Sequence, residues 1–298
     1  MDFSFSEEQE SLRREARRYL AERFPTPGEP DPASWRELAK LGWTAMSVPE
    51  EHGGAGLGFL EEAVLFEELG RALYRGPFFA TVGLALPALG PEELRQVVAG
   101  DRSYTLALGA WPAPDGELAD EVVELRDGRP AGDLLAASIR CRALAALALE
   151  AVGIAQRALE LGVEHAGSRQ QFGRPIGSYQ AVAHQLADTY LETELARSLA
   201  YWAAWCVAEG DGQASVAAAS AKAYAGDAAV AACERSIQVP GGIGFTWEHV
   251  LHRYYKRAMW IQGFGGYASH HRAAVARSLF DEQGAAGAQA ASGPAASG

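Results

Sequence analysis

The second half of this sequence repeats its apolar residues at the spacing of an α-helix over four long stretches. The stretches cover 143–168, 181–208, 213–236 and 246–280, and a glycine-rich break at 263–266 interrupts the last one. Residues three or four positions apart lie on one side of a helix, so each stretch has an apolar face that needs a partner. Long amphipathic helices joined by short loops predict a four-helix bundle.

Two of these helices have an apolar stripe that we expect to face the core of the bundle. On the first helix, the stripe consists of Leu147, Val152, Ala155, Leu159 and Val163. On the second helix, it consists of Leu191, Leu195, Leu199, Trp202 and Cys206. Burial of these stripes would supply much of the hydrophobic stabilisation of the bundle.

The first hundred residues also have the pattern of helices. Ser6, followed three residues later by Gln9, forms a capping-box sequence that predicts a helix start. The apolar run PFFATVGLALPAL (77–89) predicts a buried helix that Pro87 shortens. These features indicate a helical N-terminal domain over residues 1–100.

Residues 101–137 have a different pattern. YTLALG (104–109) and EVVELRDGRPAG (121–132) contain β-branched residues and an Asp-Gly turn, which predict one or two short strands. This segment is too short for a self-standing sheet domain. The bundle then covers 138–282, and the Ala-, Gly- and Ser-rich tail 283–298 is predicted to be disordered. The predicted fold class is mainly α, with a helical N-terminal domain, a vestigial middle β segment and a C-terminal four-helix bundle.

Composition and charge exclude several classes of protein. The 298 residues carry a formal net charge of −12, which argues against a nucleic-acid binder. No apolar run approaches the roughly 18 residues of a membrane span, and the three cysteines have no paired spacing. We therefore expect a cytoplasmic protein. No metal site is expected, because Glu-x-x-His does not occur, and His270 and His271 are predicted to lie on a solvated helix surface.

The first candidate binding motif is RQQFGRPIG (169–177), directly after the first bundle helix. The guanidinium of Arg169 has the donor geometry that suits a phosphate. Gln171 offers a neutral amide, and Phe172 offers a flat apolar face. Together these side chains would suit a nucleotide. The alternative is an ordinary helix end, at which Arg169 bonds the last carbonyls and Phe172 packs inward.

A second candidate motif, QVPGGIGFTWEHVLHRYYKR (238–257), leads into the last bundle helix. Its glycines Gly241, Gly242 and Gly244 allow backbone amides to face a ligand just before a helix N-terminus. Glycine-rich helix entries are common, so this motif is a weak signal by itself.

Three stretches together resemble the acyl-CoA dehydrogenase family: RQQFGRPIGSYQAVAHQLAD (169–188), QVPGGIGFTWEHVLHRYYKRA (238–258) and VPEEHGGAGLG (48–58). Their order and separation match the family too. The resemblance implies FAD and an acyl-CoA thioester, from which a base takes the α-proton while flavin N5 takes the β-hydride. It also implies a helical N-terminal domain, a β domain and a C-terminal four-helix bundle.

The same resemblance implies that the Arg-x-x-Phe-Gly loop reaches across a dimer interface to the ADP half of a neighbouring subunit's FAD. The FAD would then be shared by two subunits. The residues expected to contact it are Arg169, Gln171, Phe172, Gln180, Gln238, Gly241 and Gly242.

The sequence departs from the family pattern in two ways. Only the short segment 101–137 stands where the family has the β domain that holds the flavin ring. The catalytic Glu is also missing, because Gly265 occupies one family position for the base and about Ala143 occupies the other, and neither can take a proton. Glu150 and Glu248 are the carboxylates that could replace it, and a structural role is the alternative for each.

These departures leave three hypotheses. The first is a subunit of a heteromeric acyl-CoA dehydrogenase, a heterodimer or heterotetramer, in which a full-length partner supplies the β domain and the catalytic Glu. A bulky lipid or steroid acyl-CoA is then the expected substrate class, and an electron-transfer flavoprotein is the family's usual electron acceptor. The second is a self-sufficient dehydrogenase with a relocated base. The third is a non-catalytic structural partner or a non-redox reuse of the fold.

Overall fold

The computed structural model describes residues 5–25, 27–31, 33–125, 130–241 and 249–291. The helices in these ranges are α1 (Glu7–Arg23), α2 (Ser34–Lys40), α3 (Phe59–Ala72), α4 (Pro91–Ala99), α5 (Pro130–Ser168), α6 (Gln180–Ala208), α7 (Ala214–Gln238), α8 (Leu251–Gly263) and α9 (Ala268–Ala291). The strands are β1 (Tyr104–Leu108), β2 (Glu121–Leu125), β3 (Gln170–Gln171) and β4 (Arg174–Pro175). The predicted mainly-α class is confirmed. Outside the described residues lie Gly242, Gly244, Glu248 and the predicted Asp-Gly turn at 127–128.

The first helix begins where the sequence predicts. Ser6 Oγ accepts a hydrogen bond from the Gln9 backbone N–H at 3.1 Å, and Gln9 Oε1 accepts one from the Ser6 N–H at 3.1 Å, so the capping box is formed. The apolar run at 77–89 is largely buried, as predicted, but most of it is a π-helix over Phe79–Ala85. A 3₁₀ turn over Leu86–Ala88, which contains the proline, ends the run.

Helices α5, α6 and α7, with the α8–α9 pair, form the four-helix bundle. The break in the last arm is at the predicted place, because α8 ends at Gly263 and α9 begins at Ala268. Helix α9 continues to Ala291, so it enters the tail 283–298 that is predicted to be disordered. Among the helices of the described ranges, none combines the length and apolarity that crossing a membrane requires.

Helix α6 turns a different face to the core from the one predicted. Leu191 and Leu195, which we expect in the core, are 57% and 47% exposed, while Thr189 and Thr193 are buried in their place. The physical reason is that the facing helix α7 buries mainly small side chains, most of them alanines, so the two helices pack through small residues and leave the leucines outside. The prediction for Val163 of α5 is also wrong, since half of this residue is exposed.

The β segment is reduced to a two-stranded parallel ribbon, in which Tyr104 of β1 lies opposite Glu121 of β2. Thr81, in the π-helix, fixes this ribbon to the helical domain. Its hydroxyl donates to Tyr104 O at 2.7 Å and accepts from the Tyr104 N–H at 2.9 Å. Helix α5 begins at Pro130, so helix occupies the last part of the segment 101–137 predicted as the β remnant.

Helices α3 and α5 touch backbone to backbone at two glycines. A methyl group on Gly153 of α5 would overlap backbone atoms of Glu67 and Arg71, and one on Gly70 of α3 would overlap the backbone of Glu150. Two helices approach this closely only where neither carries a Cβ. This contact fixes the N-terminal helical domain against the bundle.

Helix α3 also carries buried carboxylates, each paired with an arginine of a different helix. The pairs are Glu62 with Arg142 of α5, Glu67 with Arg197 of α6, and Glu68 with Arg17 of α1. Burial raises the pKa of Glu62, and the Arg142 guanidinium opposes that rise. Removing one partner of such a pair would leave a buried charge uncompensated, so these pairs fix the orientation of α3.

The glycine contact predicts a large difference between two substitutions in one helix. Gly153→Ala should lower the free energy of unfolding by about 3 kcal/mol, because the backbone of α3 cannot move aside for a methyl group. Gly167→Ala, near the end of α5, meets no atom within 4 Å and should raise stability slightly because alanine favours helix. Urea unfolding of both variants checks this, and equal effects would contradict the close contact.

Candidate functional site

The motif after α5 folds into a short hairpin with Phe172 at its tip. β3 and β4 pair antiparallel, with Gln171 opposite Arg174, and the two residues between them both have positive φ: 51° for Phe172 and 81° for Gly173. Positive φ at both central residues is typical of the type I′ turn of tight hairpins. A bulky residue rarely takes this conformation, so the turn holds Phe172 in a strained position. Phe172 is 93% exposed as a result.

The hairpin is braced from its own base rather than by the bundle core. The Ile176 N–H donates to Arg169 O at 2.8 Å, and Tyr179 Oη donates to Gln171 O at 3.2 Å. The Arg174 guanidinium lies 4.1 Å from the centre of the Tyr179 ring. Among the described residues, no hydrogen bond or ion pair holds the Arg169 guanidinium. The alternative in which Phe172 packs inward is therefore wrong.

The second motif lies at the same end of the bundle as the hairpin. A small hydrophobic cluster of Leu159, Ala166 and Leu186 packs against Ile176 from the hairpin and Val239 from the end of α7. The predicted contact residues flank this cluster: Gln180 is the first residue of α6, Gln238 is the last of α7, and both are exposed.

Gly241, three residues after Gln238, has φ 64°, and no atom of the described part of the chain lies within 4 Å of the place where a Cβ would be. The structure thus brings six of the seven predicted contact residues to one end of the bundle, where their polar groups face outward. The seventh, Gly242, lies outside the described residues.

Gly265 and about Ala143 are the positions at which the resemblance predicts the base, and the residue after Ala143 lies against Gly265. Gly265 stands in the break between α8 and α9 with φ 72°, and Ala143 is fully buried on α5. A Cβ on Gly265 would lie 3.4 Å from Cδ2 of Leu144, the neighbour of Ala143. Neither position offers a proton acceptor, so the site lacks the family's base at both.

Aromatic side chains surround this base position. Trp260 stacks on Phe264 with 4.9 Å between ring centres, and Phe79 meets Phe264 edge-on at 6.0 Å. Trp111, from the loop after β1, meets Phe264 edge-on at 5.6 Å. Aromatic pairs in such geometry stabilise beyond their buried area. These four side chains form one cluster, called the aromatic cluster below.

Glu150, a candidate replacement base, is held by an arginine. Arg257 of α8 donates from Nε to Glu150 Oε1 at 2.6 Å and from Nη2 to Oε2 at 3.0 Å. Arg257 also lies 3.6 Å from Asp115 and stacks 4.1 Å over the Trp260 ring. Both oxygens of Glu150 are engaged by one partly buried cation, which favours its structural role over that of a base.

The paired histidines differ from the prediction of a solvated surface. His270 is exposed, but His271 is only 4% exposed, because α9 turns it towards α7. Its Nε2 has no hydrogen-bond partner among the described residues. Lys222 of α7, also buried, donates from Nζ to Gln262 O at 3.3 Å and Gly266 O at 3.4 Å. Burial lowers the pKa of Lys222 to about 8.

Family models match most of the chain. The model described as acyl-CoA dehydrogenase, N-terminal domain, matches residues 6–98, and the model described as acyl-CoA dehydrogenase, C-terminal domain, matches residues 143–280. The chain belongs to the acyl-CoA dehydrogenase family. The resemblance read from the three sequence motifs is thereby confirmed.

Relatives and solved structures agree with this assignment. Acyl-CoA dehydrogenase IpdE2 of Mycobacterium tuberculosis is 35% identical over 76% of this chain and 80% of its own length. The steroid acyl-CoA dehydrogenase Tcur3481–Tcur3483, in its G363A variant, has a chain that is 28% identical, with a TM-score of 0.83 over 94% of this chain and 99% of its own. A chain of the ChsE4–ChsE5 complex of Mycobacterium tuberculosis is 25% identical, with a TM-score of 0.82 over 99% of this chain and 100% of its own. The predicted acyl-CoA dehydrogenase-like fold with a reduced β segment is confirmed.

The sequence analysis missed three features: the position of Trp111, the burial of Lys222 and the burial of His271. Trp111 gives no periodic signal, because it lies in a loop and reaches the base position only through the fold. Lys222 lies in an alanine-rich helix. Alanines stand before and after it in the sequence, and this pattern could have predicted that Lys222 is buried. His271 is three residues from Ala268, which is buried, and that spacing is the signal that was missed.

Acid should destabilise the fold partly through His271. Burial, with Lys222 and His270 nearby, lowers its pKa from 6.5 to about 4. The unfolded chain therefore binds this proton at a higher pH than the folded chain, so the stability that His271 contributes is present above pH 6.5 and is lost as the pH falls towards 4. We expect His271→Gln to reduce the acid loss by up to about 3 kcal/mol.

Urea unfolding at neutral and mildly acid pH measures this loss. The control is His270→Gln, which changes the exposed neighbour and should keep the wild-type dependence on pH. An identical dependence in His271→Gln would contradict the account.

Proposed function

We propose that this chain is one subunit of a heteromeric, FAD-linked acyl-CoA dehydrogenase, in which it completes the FAD site of a full-length partner subunit. The partner supplies the β domain that holds the flavin ring and the catalytic Glu. The observation that carries the proposal is the exposed hairpin. Phe172 at its strained tip and Arg169 at its base are both exposed, away from the chain's own core.

The outward-facing residues suit the ADP half of FAD. The Arg169 guanidinium can pair with the pyrophosphate through parallel hydrogen bonds, and Phe172 can stack on a flat ring. Gly241 has open space at its Cα, which lets a phosphate approach the backbone. Gln171, Gln180 and Gln238 add neutral hydrogen-bonding groups, and Gly242 continues the glycine motif.

The remaining half of the site is not provided by this chain. The β1–β2 ribbon is too small to cover a flavin ring, and both family positions for the base lack a carboxylate. FAD, when bound, accepts the hydride from the β-carbon of the thioester once a base has removed the α-proton. With Gly265 and about Ala143 at the expected base positions, we propose that this proton goes to a carboxylate of the partner. The small β segment and the absent catalytic carboxylate have one explanation if a second polypeptide supplies both the β domain and the base.

The surface beside the hairpin supports an unlike partner. Helix α6 starts at Gln180, shortly after β4 ends at Pro175, and its exposed Leu191 and Leu195 lie one turn apart and form an apolar stripe. Exposed apolar stripes of this kind mark protein–protein contacts. Two of the similar structures carry names that include two proteins each. One of these two structures is a steroid acyl-CoA dehydrogenase. We therefore propose a bulky, steroid-like acyl-CoA as substrate and an electron-transfer flavoprotein as electron acceptor.

FAD content tests the shared site. Purified alone, the chain should be colourless, and co-purified with a full-length acyl-CoA dehydrogenase-like partner, the complex should be yellow. In that complex, Arg169→Ala and Phe172→Ala should each lower bound FAD at least tenfold, since each removes a contact worth about 1.4 kcal/mol or more. Absorbance of FAD per protein measures this.

Matched controls change the same residue types elsewhere. Arg95→Ala of α4 and Phe280→Ala of α9 remove an exposed arginine and an exposed phenylalanine and should leave FAD content unchanged. A yellow, active dehydrogenase from this chain alone would favour the self-sufficient alternative. A stable complex without FAD would favour the structural partner.

The apolar stripe predicts where the partner docks. Leu191→Asp and Leu195→Asp should each abolish the complex, because a carboxylate in an apolar interface loses its hydration. The melting temperature of the isolated chain should change little, as both side chains are exposed. Light scattering after size-exclusion chromatography reports assembly. The control Leu134→Asp, on an exposed part of α5, should assemble normally, and assembly of all three variants would contradict the proposed interface.

A further inference from the structure

We propose that Trp111 fills the space beside Gly265, the expected position of the base. This space, called the chamber below, then receives no acyl thioester. This inference rests on the proposed function, which identifies the space beside Gly265 as the place for the acyl group. It adds a steric obstacle to the absence of a catalytic carboxylate. The middle segment then has a role of its own: the loop after β1 is a fixed cover over the aromatic cluster in place of the lost β domain.

The obstacle is a steric contact. A Cβ on Gly265 would lie 3.0 Å from Cζ2 and 3.3 Å from Cη2 of Trp111, closer than ordinary van der Waals contact. The space in which a base side chain would begin is therefore occupied by the far edge of the indole. Leu144 of α5 closes the other side at 3.4 Å. A side chain at this position requires the indole to give by a few tenths of an ångström, which its fixed loop resists.

The indole is fixed on its own loop. The backbone of Trp111 turns back onto β1, where its N–H donates to Leu108 O at 3.0 Å and its carbonyl accepts from the Leu108 N–H at 3.2 Å. Further along, Thr105 Oγ1 donates to Pro114 O at 2.6 Å. Asp115 then lies 3.6 Å from the partly buried Arg257. Three attachments around one side chain make the loop a rigid cover.

The aromatic cluster fills the space beneath the cover. Phe264 contacts Trp111 on one side and Trp260 on the other, and Phe79 of the π-helix contacts both Phe264 and Trp260. Phe79 and Phe264 are buried. An acyl chain entering beside Gly265 would have to displace these rings. A pair of unlike subunits therefore contains one reaction centre, which is in the partner.

A double-mutant cycle on the full chain tests the steric contact without a partner or FAD. The variants are Gly265→Ala, Trp111→Leu, which removes Cζ2 and Cη2, and the double variant. Gly210→Ala is the control, because Gly210 also has positive φ (62°) but meets no atom within 4 Å. Gly265→Ala should raise the unfolding constant about tenfold more than Gly210→Ala does, and Trp111→Leu should remove this excess.

Two results of the cycle would overturn the contact: equal effects of the two glycine substitutions, or an excess that persists beside Trp111→Leu. If Trp111→Leu does not fold, Trp111→Phe takes its place, since phenylalanine keeps a ring but lacks the far edge of the indole.

Calorimetry with octanoyl-CoA tests the closed chamber itself. The wild-type chain should bind octanoyl-CoA no more tightly than free CoA, because the indole of Trp111 and the aromatic cluster occupy the space beside Gly265. Binding at least tenfold tighter than that of CoA would overturn the proposal. Neither experiment reads FAD content or assembly, so a failure of the closed chamber is distinguishable from a failure of the shared FAD site.

Discussion

The structure depends on the backbone contact between α3 and α5. Because Gly70 and Gly153 have no Cβ, the two helices approach until main chain meets main chain, and the N-terminal domain can move little relative to the bundle. The buried pairs Glu62–Arg142 and Glu67–Arg197 then orient α3 against α5 and α6. The same rigid frame places the π-helix beneath the break between α8 and α9, where the family has its base.

The two ends of this frame have opposite properties. At the hairpin end, polar and aromatic groups face outward, and a strained turn exposes a large ring to solvent, which a monomer has no physical reason to maintain. At the base position, small residues and aromatic rings fill the space, and the only nearby carboxylate on α5, Glu150, is held by Arg257. An outward-facing hairpin and a filled base position are the two properties that the proposed subunit, which serves a site on another polypeptide, requires.

Local sequence signals predicted the features that depend on neighbouring residues. The Ser6 capping box, the helical break after Gly263 and the end of a helix before the Phe172 turn all follow from short-range chemistry. The orientation of α6 did not follow from its own pattern. Leu191 and Leu195 have the spacing of core residues, but the alanines of α7 pack against the small side chains of α6 and leave both leucines exposed. The positions of Trp111 and His271 depend on contacts between elements distant in the sequence, which no local period records.

A cryo-electron microscopy structure of the co-purified complex with FAD tests the central claim most directly. The account predicts the isoalloxazine within the partner subunit and the ADP half of the same FAD against Arg169, Phe172 and Gly241 of this chain. An FAD held wholly by one polypeptide, with the hairpin tip far from any subunit contact, would contradict it.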